Sequence, residues 1–307
     1  MPTSLITAAQ LTKRREAQPA PVLLDVNDAS VFDAQHLKGA VNANVFEMNF
    51  LAQVREKLGL QPEQPVIVYG PNSSSYASRL AADKLVAAGF AEVEEFRGGL
   101  EAAIEAGLPL EGDAAKLKAL QQPERAQGQL PVDTAESQVR WIGRNLASQH
   151  EGTVGIQSGY INVVDGILRG GELVLDLEQI SCIDIGDEET GGVLLKHFRD
   201  MEFFHIDQYP LAKVQIEHVD FNPHATPGSP NYEVVGSLTL KGVTAPVGAK
   251  LVGDSKNKLT WACQGMVEID RTRWNVIYGS GKFFQHLGMH AVNDHISVNL
   301  KLIFGGK

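Results

Sequence analysis

The segment YEVVGSLTL, residues 232–240, decides the fold of the second half of the chain. Apolar side chains or glycine occupy every second position from Tyr232 to Leu240, which is the period of a strand with one buried face. The same alternation is present at residues 172–180, 212–219 and 297–304. About eight such strands with polar turns between them predict an antiparallel β-barrel or sandwich, interrupted by a helix near residues 188–199.

The first third of the chain follows a different pattern, in which short apolar runs alternate with helical segments. Buried strands are predicted at residues 21–26, 65–70 and 91–99. A helix is predicted at residues 75–90, and its apolar face carries Leu80, Leu85 and Val86. Strand–helix–strand units of this length favour a parallel sheet with helices on both faces, which is a three-layer α/β domain.

The change of pattern predicts two domains with a linker between them. Residues 1–112 are predicted as the α/β domain, and residues 131–307 as the antiparallel β-barrel. Residues 113–130 contain Gly, Pro, Gln and charged residues with little apolar content, so they are predicted as a linker that is helical in part.

The composition predicts a cytoplasmic globular protein. The 307 residues carry a formal net charge of -10, and so acidic a surface repels nucleic acid and anionic lipid headgroups. The basic cluster from Lys13 to Arg15 follows a mildly apolar stretch, which is the wrong order for a secretory signal. No run of about 20 apolar residues is present to span a bilayer. Cys182 and Cys263 stand far apart and predict neither a disulfide framework nor a zinc site made of thiolates.

Three motifs in the first domain occur together in one known family. They are VLLDVNDASVFDAQHLKGAVNANV, which contains His36, Gly39 and Ala40, then VIVYG before a loop and a helix, and finally FRGGLEAAIEAGLPL. In this order the first domain resembles the rhodanese family over residues 5–112. The resemblance implies a catalytic cysteine directly after the VIVY strand, in a loop whose backbone N–H groups stabilise the thiolate and the persulfide.

The first domain lacks that cysteine. Gly70 stands at its position, and Ser75 stands where the arginine that closes the loop would be. Because a persulfide needs a thiolate, sulfurtransferase activity is not expected. The degenerate loop consists of Gly70, Pro71, Asn72, Ser73, Ser74 and Ser75. The favoured interpretation is a non-catalytic docking or spacer domain, and the alternative is an anion site, which the missing N–H of Pro71 weakens.

The second domain carries a longer series of motifs. They are VDTAESQVRWIGR, HEGTVGIQSGYINVVDG, LRGGELVLDLEQI, LLKHFRDMEFFHIDQYPLAKV, VVGSLTLKGVTAPV and IDRTRWNVIYGSGKFF. In this order they resemble the YceI family over residues 132–304. The resemblance implies an eight-stranded, lipocalin-like barrel that encloses a long apolar molecule, such as an isoprenoid or a fatty lipid. It implies a homodimer as well, because family members often pair.

The residues expected to contact this ligand are large apolar side chains and one histidine at the predicted mouth and wall of the barrel. They are Trp141, Phe203, Phe204, Tyr209, His218, Trp274, Phe283, Phe284 and Leu287. The small residues Ala212 and Gly236 are expected to leave space inside the barrel. The competing interpretation is an ordinary core position for each of them, and a hydrogen-bonded core histidine for His218, which lies in the apolar register of its strand.

A metal site is not expected. His286, His290 and His295 lie close together near Asp294, and close histidines can bind zinc. However, they lack the HExxH form, and the resemblance implies no metal at this position. Surface or hydrogen-bonded histidines are therefore the favoured interpretation, and no cofactor is expected.

Two polar groups are candidates for contact with a ligand headgroup. His197 and His205 flank the Phe-Phe segment that is expected to cover the mouth of the barrel. Asp270, Arg271 and Arg273 form a charged cluster that would suit an anionic headgroup. An ion-paired surface turn is the favoured interpretation of this cluster.

The leading functional hypothesis is a binding protein that transports or sequesters a long apolar ligand. The first domain would then serve for docking of a protein partner, for dimerisation or for regulation. One alternative is an enzyme that acts on a lipid or quinone inside the barrel, but the sequence shows no assembled acid–base constellation. The other alternative is a structural or interaction protein whose barrel is filled by its own side chains.

Overall fold

The computed structural model of the protein describes residues 3–185 and 188–306. The chain forms two compact units, Met1–Pro123 and Glu124–Lys307. Each unit has its own clusters of buried apolar side chains. The boundary after Pro123 falls inside the segment 113–130 that the sequence predicts as a linker.

The first unit is built on a parallel sheet, as the sequence predicts. Its strands are β1 (Ser4–Leu5), β2 (Val22–Asp25), β3 (His36–Leu37), β4 (Val41–Asn42), β5 (Val66–Tyr69), β6 (Val93–Phe96) and β7 (Leu110–Glu111). Five of them form one sheet in the order β1-β6-β5-β2-β4 with every neighbouring pair parallel, and β3 and β7 form a separate antiparallel pair. The helices are α1 (Ala8–Arg15), α2 (Ala29–Ala34), α3 (Phe50–Ala52, continued by a π-helical turn at Gln53–Lys57), α4 (Ala77–Ala87), α5 (Gly99–Glu105) and α6 (Ala114–Gln121).

Helices cover both faces of this sheet because successive strand residues point to opposite sides. On one face, Leu24 and Val68 pack in a cluster with Leu85 of α4. On the other face, Leu23 and Ile67 pack in a cluster with residues of α1 and α5. The predicted three-layer α/β architecture is therefore confirmed.

Helix α4 packs on the sheet mainly through small residues. Its buried side chains are Ala77, Ser78, Ala81, Ala82 and Leu85. Leu80, which the sequence places on the apolar face, is 39% exposed, whereas Val86 packs against the core as expected. Alanine at the contact positions lets the helix approach the sheet closely, so the larger Leu80 lies outside the contact.

The segment predicted as a linker is shared between the two units. Helix α6 lies beside α2, and Lys116 Nζ is 2.6 Å from Asp33 Oδ2. The backbone N–H of Asp113 donates to the carbonyl of Asp33 at 2.9 Å. Residues 128–131 form a strand of the second unit instead.

The second unit consists of antiparallel strands with one α-helix among its described residues. The strands are β8 (Gly128–Pro131), β9 (Gln138–Arg144), β10 (Gln149–Val164), β11 (Ile167–Asp176), β12 (Leu211–Phe221), β13 (Tyr232–Leu240), β14 (Val243–Ser255), β15 (Thr260–Asp270) and β16 (His295–Gly305). The helix is α7 (Glu188–Arg199), and short 3-10 turns lie at Leu177–Gln179, Arg271–Trp274 and Gly288–His290. In the described part of the chain, no helix combines the length and the apolar character needed to cross a lipid bilayer.

Strands β9 to β16 close into an eight-stranded antiparallel barrel, which confirms the predicted fold class. The long strand β10 closes the barrel, because residues 149–154 pair with β9 and residues 155–164 pair with β11. Strand β8 pairs with β10 beyond the end of β9. Along β13, buried and more exposed residues alternate from Tyr232 to Leu240, as the period of the sequence predicts.

Candidate ligand-binding cavity

The barrel encloses a cavity of about 340 Å³. All eight strands contribute aliphatic side chains to its wall, including Val139, Leu173, Val214, Val234 and Leu300. Small-molecule sites typically have volumes of roughly 300–1,000 Å³ and largely apolar walls. The interior is therefore hollow and is not filled by the side chains of the barrel.

Aromatic side chains line the cavity near α7. Phe198 on α7 meets Phe203 edge-on, with ring centroids 5.3 Å apart, and Phe203 stacks on Tyr278 at 4.6 Å. At the opposite end of the barrel, Trp261, near the start of β15, is fully buried in a second apolar cluster and meets Tyr232 edge-on at 5.6 Å. Aromatic side chains thus pack at both ends of the barrel, around Phe198 and Phe203 at one end and around Trp261 at the other.

Polar residues border the cavity at the hairpin that joins β9 to β10. They are Arg144, Asn145, Ser148, Gln149 and His150. Arg144 Nη1 donates a hydrogen bond of 2.8 Å to Ser297 Oγ, which holds the guanidinium at this position. The arrangement suits a molecule with an apolar chain inside the barrel and a polar group at this border.

One carboxylate beside the polar border is strongly stabilised in its charged form. Asp184 lies 3.0 Å from His150 Nδ1 and accepts a hydrogen bond of 3.0 Å from the backbone N–H of Glu151. Desolvation favours the neutral acid, but these hydrogen bonds and one from Cys182 outweigh it and lower the pKa of Asp184 to about 2. Asp184 is therefore ionised at neutral pH.

Three of the residues predicted as ligand contacts line the cavity. They are Trp141, Phe203 and Phe204. The Trp141 indole N–H donates to the carbonyl of Ser181 at 3.1 Å, and its ring meets Phe198 edge-on at 5.4 Å. The hydrogen bond and the ring contact fix the orientation of this indole in the wall.

Trp274 and Tyr209 are not part of the cavity wall. Trp274 is fully buried in the apolar cluster that contains Phe198 and Phe203, and its indole N–H donates to the carbonyl of Leu238 at 2.8 Å. Tyr209 is half-buried, and its ring lies against Gly242 and beside His205. Both positions correspond to the competing interpretation of ordinary packing.

Phe283, Phe284 and Leu287 also lie outside the cavity wall. They belong to the long connection between β15 and β16, where Phe283 is 54% exposed and Phe284 is 41% exposed. Leu287 is half-buried. From the same connection only Tyr278 among the aromatic residues lines the cavity, together with Phe198 on α7 and the Phe203–Phe204 pair that follows it.

His218 lies on the exposed face of β12, not in the apolar register that the sequence predicts. The pairing of β12 with β13 contains a bulge between Ile216 and His218. A bulge inserts one residue and reverses the faces beyond it, so Val219 and Phe221 join the core while His218 turns outward. An enzyme mechanism that uses His218 inside the barrel therefore has no support from its position.

The two small residues predicted to leave space, Ala212 and Gly236, both line the cavity. Ala212 is buried and lines the cavity, as expected of a spacer. At Gly236 there is a second constraint, because a Cβ atom would lie only 2.0 Å from the carbonyl oxygen of Gln215 on the neighbouring strand. Gly236 is therefore required by the close approach of β12 and β13.

The charged cluster at the end of β15 is an ion-pair network, and of its predicted members only Arg271 lines the cavity. Lys282 Nζ lies 2.8 Å from Asp270, and Thr272 Oγ1 donates to the same carboxylate at 2.6 Å. Desolvation opposes ionisation of Asp270, but these partners outweigh it and lower its pKa to about 2. Arg271 is buried, whereas Arg273 is exposed and stacks on Trp274.

The remaining histidines are placed away from the cavity wall. His197 pairs with Asp200 through Nδ1 at 3.2 Å, and His205 takes a left-handed backbone conformation with a φ of 51°. His286, His290 and His295 are exposed. Among the described residues, these three are not part of any group of side chains with the spacing of metal ligands.

Several cavity residues were not among the sequence-based candidates. They include Phe198, Tyr278 and the polar border from Arg144 to His150. The sequence around Phe198 and Tyr278 contains no feature that distinguishes a residue of the cavity wall from an ordinary core residue. The aliphatic residues of the wall were predictable from the sequence, because they occupy every second position of the strands and so share the inner face of the barrel.

In the first unit, the degenerate loop is held by its own hydrogen bonds. Ser74 donates to Asn72 Oδ1 at 2.8 Å, and the backbone N–H of Ala77 donates to Ser75 Oγ at 3.2 Å. The carbonyls of Gly70 and Pro71 accept hydrogen bonds from the first turn of α5. The loop therefore keeps an ordered conformation, and residues 70–75 contain no cysteine.

Replacing Gly70 with cysteine should create a reactive thiol. A Cβ atom at this position would lie 3.4 Å from Ala77 Cβ and 3.5 Å from the backbone nitrogen of Ser78, which are ordinary contacts. A thiolate beside the N-terminus of α4 is stabilised by the helix, so its pKa should fall below about 8.5. The pH dependence of its alkylation rate, measured by mass spectrometry, gives this pKa. Ser73→Cys is the control, because Ser73 is exposed on the same loop, and equal pKa values for the two thiols would contradict the prediction.

Two family models match the sequence. They are the YceI-like domain over residues 131–304 and the rhodanese-like domain over residues 7–106. No curated protein matches the chain significantly.

Solved structures resemble each half of the chain. BcnA from Burkholderia cenocepacia is 22% identical, with 56% of this chain and 98% of that chain covered and a TM-score of 0.41. A polyisoprenoid binding domain from Saccharophagus degradans, implicated in plant cell wall breakdown, is 16% identical, with 59% and 99% covered and a TM-score of 0.43. The rhodanese-like domain of the Alr3790 protein from Anabaena sp. is 31% identical, with 38% and 82% covered and a TM-score of 0.32.

The second unit is a closed eight-stranded antiparallel barrel with an apolar cavity, and the three-layer α/β unit precedes it in the chain. Both family resemblances that the sequence motifs indicate are confirmed. Since the YceI-like model covers more than half of the 307 residues, the chain belongs to the YceI-like domain family, with a rhodanese-like domain ahead of the barrel.

Proposed function

We propose that the barrel binds a long apolar molecule of the isoprenoid or fatty class, and that the protein carries or sequesters this molecule. The observation that carries the proposal is the cavity of about 340 Å³ with aliphatic side chains from every strand of the barrel. Membership of the YceI-like family supports the same class of ligand. The polar border at residues 144–150 is the proposed position of the headgroup.

Burial of an alkyl or isoprenoid chain supplies the free energy of binding in this proposal. Each methylene removed from water contributes about 0.8 kcal/mol, so about ten of them contribute roughly 8 kcal/mol before the entropic cost of association. Few hydrogen bonds are then needed for stable binding. The wall of the cavity offers few of them, and polar groups are concentrated at its border.

A co-purified ligand is the direct test. Native mass spectrometry of freshly purified protein should show an added mass close to one lipid per chain, and organic extraction should release it. After delipidation, the protein should bind the fluorescent fatty acid parinaric acid with one site per chain. A ligand-free native mass together with no binding of parinaric acid after delipidation would refute the proposal.

For the first unit, we propose a non-catalytic role in docking or dimerisation. Gly70 stands at the position of the nucleophile, and no cysteine is present before Cys182. Sulfur transfer through a persulfide has no thiolate to begin from in this unit. The ordered loop preserves the fold of the domain, which a docking role requires.

A further inference from the structure

Three side chains of different chemistry meet beside the polar border of the barrel. His150 Nδ1 lies 3.0 Å from Asp184 Oδ2, and Cys182 Sγ lies 3.2 Å from Asp184 Oδ1. The imidazole nitrogen, the thiol sulfur and the carboxylate oxygen all lie within 4.8 Å of one another. These three residues are named the His-Cys-Asp cluster. Only His150 among them lines the cavity, at its polar border.

The backbone holds the cluster in place. The segment after β11 runs along β10, where the N–H of Ser181 donates to the carbonyl of Thr153 at 2.8 Å. The N–H of Ile183 donates to the carbonyl of Glu151 at 2.9 Å. The N–H of Glu151 donates in return to Asp184 Oδ1 at 3.0 Å, which orients this carboxylate. Cys182 and Asp184 are thus presented to His150 by hydrogen bonds that do not depend on any ligand.

The combination of donor atoms identifies a class of metal ion. Zinc and similar divalent transition ions accept thiolate, imidazole and carboxylate ligands, whereas calcium and magnesium prefer sites made of oxygen atoms only. Zinc sites often combine three protein ligands with one water molecule. We infer that Cys182, His150 and Asp184 bind a divalent transition metal ion of the zinc class at the border of the barrel.

Cobalt(II) is the probe for this site, because a thiolate ligand gives it a charge-transfer absorption band in the near ultraviolet. Protein stripped with a chelator and titrated with Co²⁺ under reducing conditions should bind one equivalent and develop this band. Cys182→Ser should abolish the band, and His150→Ala should weaken Co²⁺ binding by at least about tenfold. The other cysteine, Cys263, is 4% exposed in the apolar core of the barrel and belongs to no group of ligand side chains among the described residues.

His197→Ala is the matched control, because His197 pairs with Asp200 at 3.2 Å in the same exposed manner but without a cysteine. This variant should bind Co²⁺ as the unmodified protein does. Absence of the band with excess Co²⁺, or its persistence in Cys182→Ser, would overturn the inference. Circular dichroism identifies any variant that fails to fold, and His150→Ala and Cys182→Ser provide independent tests. The readout is independent of lipid binding, so the metal site and the apolar cavity are judged separately.

Discussion

Replacing Val234 with tryptophan should weaken binding of parinaric acid to the delipidated protein roughly 50-fold. Val234 lines the cavity and is 8% exposed, so the larger side chain must extend into the space that the ligand would occupy. An indole that displaces about three methylenes removes about 2.4 kcal/mol of burial free energy, which corresponds to that loss of affinity. The amount of lipid that co-purifies with the variant should fall as well. Fluorescence titration and organic extraction measure the two effects.

Val235→Trp is the matched control for this variant. Val235 is the next residue of β13, has the same side chain, and is 48% exposed on the outer face of the barrel. The two substitutions share the same change in intrinsic strand preference, and only one of them enters the cavity. Thermal unfolding of both variants is needed, because overpacking an interior costs about 1–3 kcal/mol. Equal affinities of two folded variants would place the ligand outside the cavity.

The part of the site that follows from strand alternation was predictable from the sequence. Inward positions recur at every second residue, so the alternation alone assigns Val234 on β13 and Leu300 on β16 to the buried face. The parallel sheet of the first unit was predictable for a similar reason, because its strands are short apolar runs between helices. These features depend on local sequence alone.

The features that escaped prediction depend on contacts between distant residues. The bulge before His218 is a property of the pairing of β12 with β13, and a single-residue shift moves this histidine to the outer face. Phe283 and Phe284 resemble wall residues in composition, but the path of a long connection leaves them exposed. His150 and Asp184 are 34 residues apart, so no motif indicates that they meet.

Removing the side chain of Arg271 should destabilise the barrel by about 3–5 kcal/mol. The guanidinium is 2% exposed and donates to three backbone carbonyls, those of Val276 at 2.8 Å, Asn293 at 3.0 Å and Val292 at 3.2 Å. These carbonyls lie at the two ends of the connection between β15 and β16, so Arg271 joins its beginning to its end. Desolvation lowers the pKa of Arg271, and the charges of Asp294 and Asp270 counter this effect. Arg271→Ala leaves the carbonyls without their charged donor inside the protein.

Arg273→Ala provides the comparison, since it deletes the same charge two residues further along the same turn. Arg273 is exposed, and its main contact is a cation–π interaction with Trp274 at 5.2 Å, which is worth about 0.5–1 kcal/mol. Urea unfolding followed by tryptophan fluorescence reports on the barrel alone, because the three tryptophans, Trp141, Trp261 and Trp274, all lie in the second unit. Arg271→Ala should lower the unfolding midpoint several times more than Arg273→Ala. Equal shifts would show that the carbonyl contacts of Arg271 contribute nothing beyond its charge, and the long connection would then have to be held by its apolar contacts.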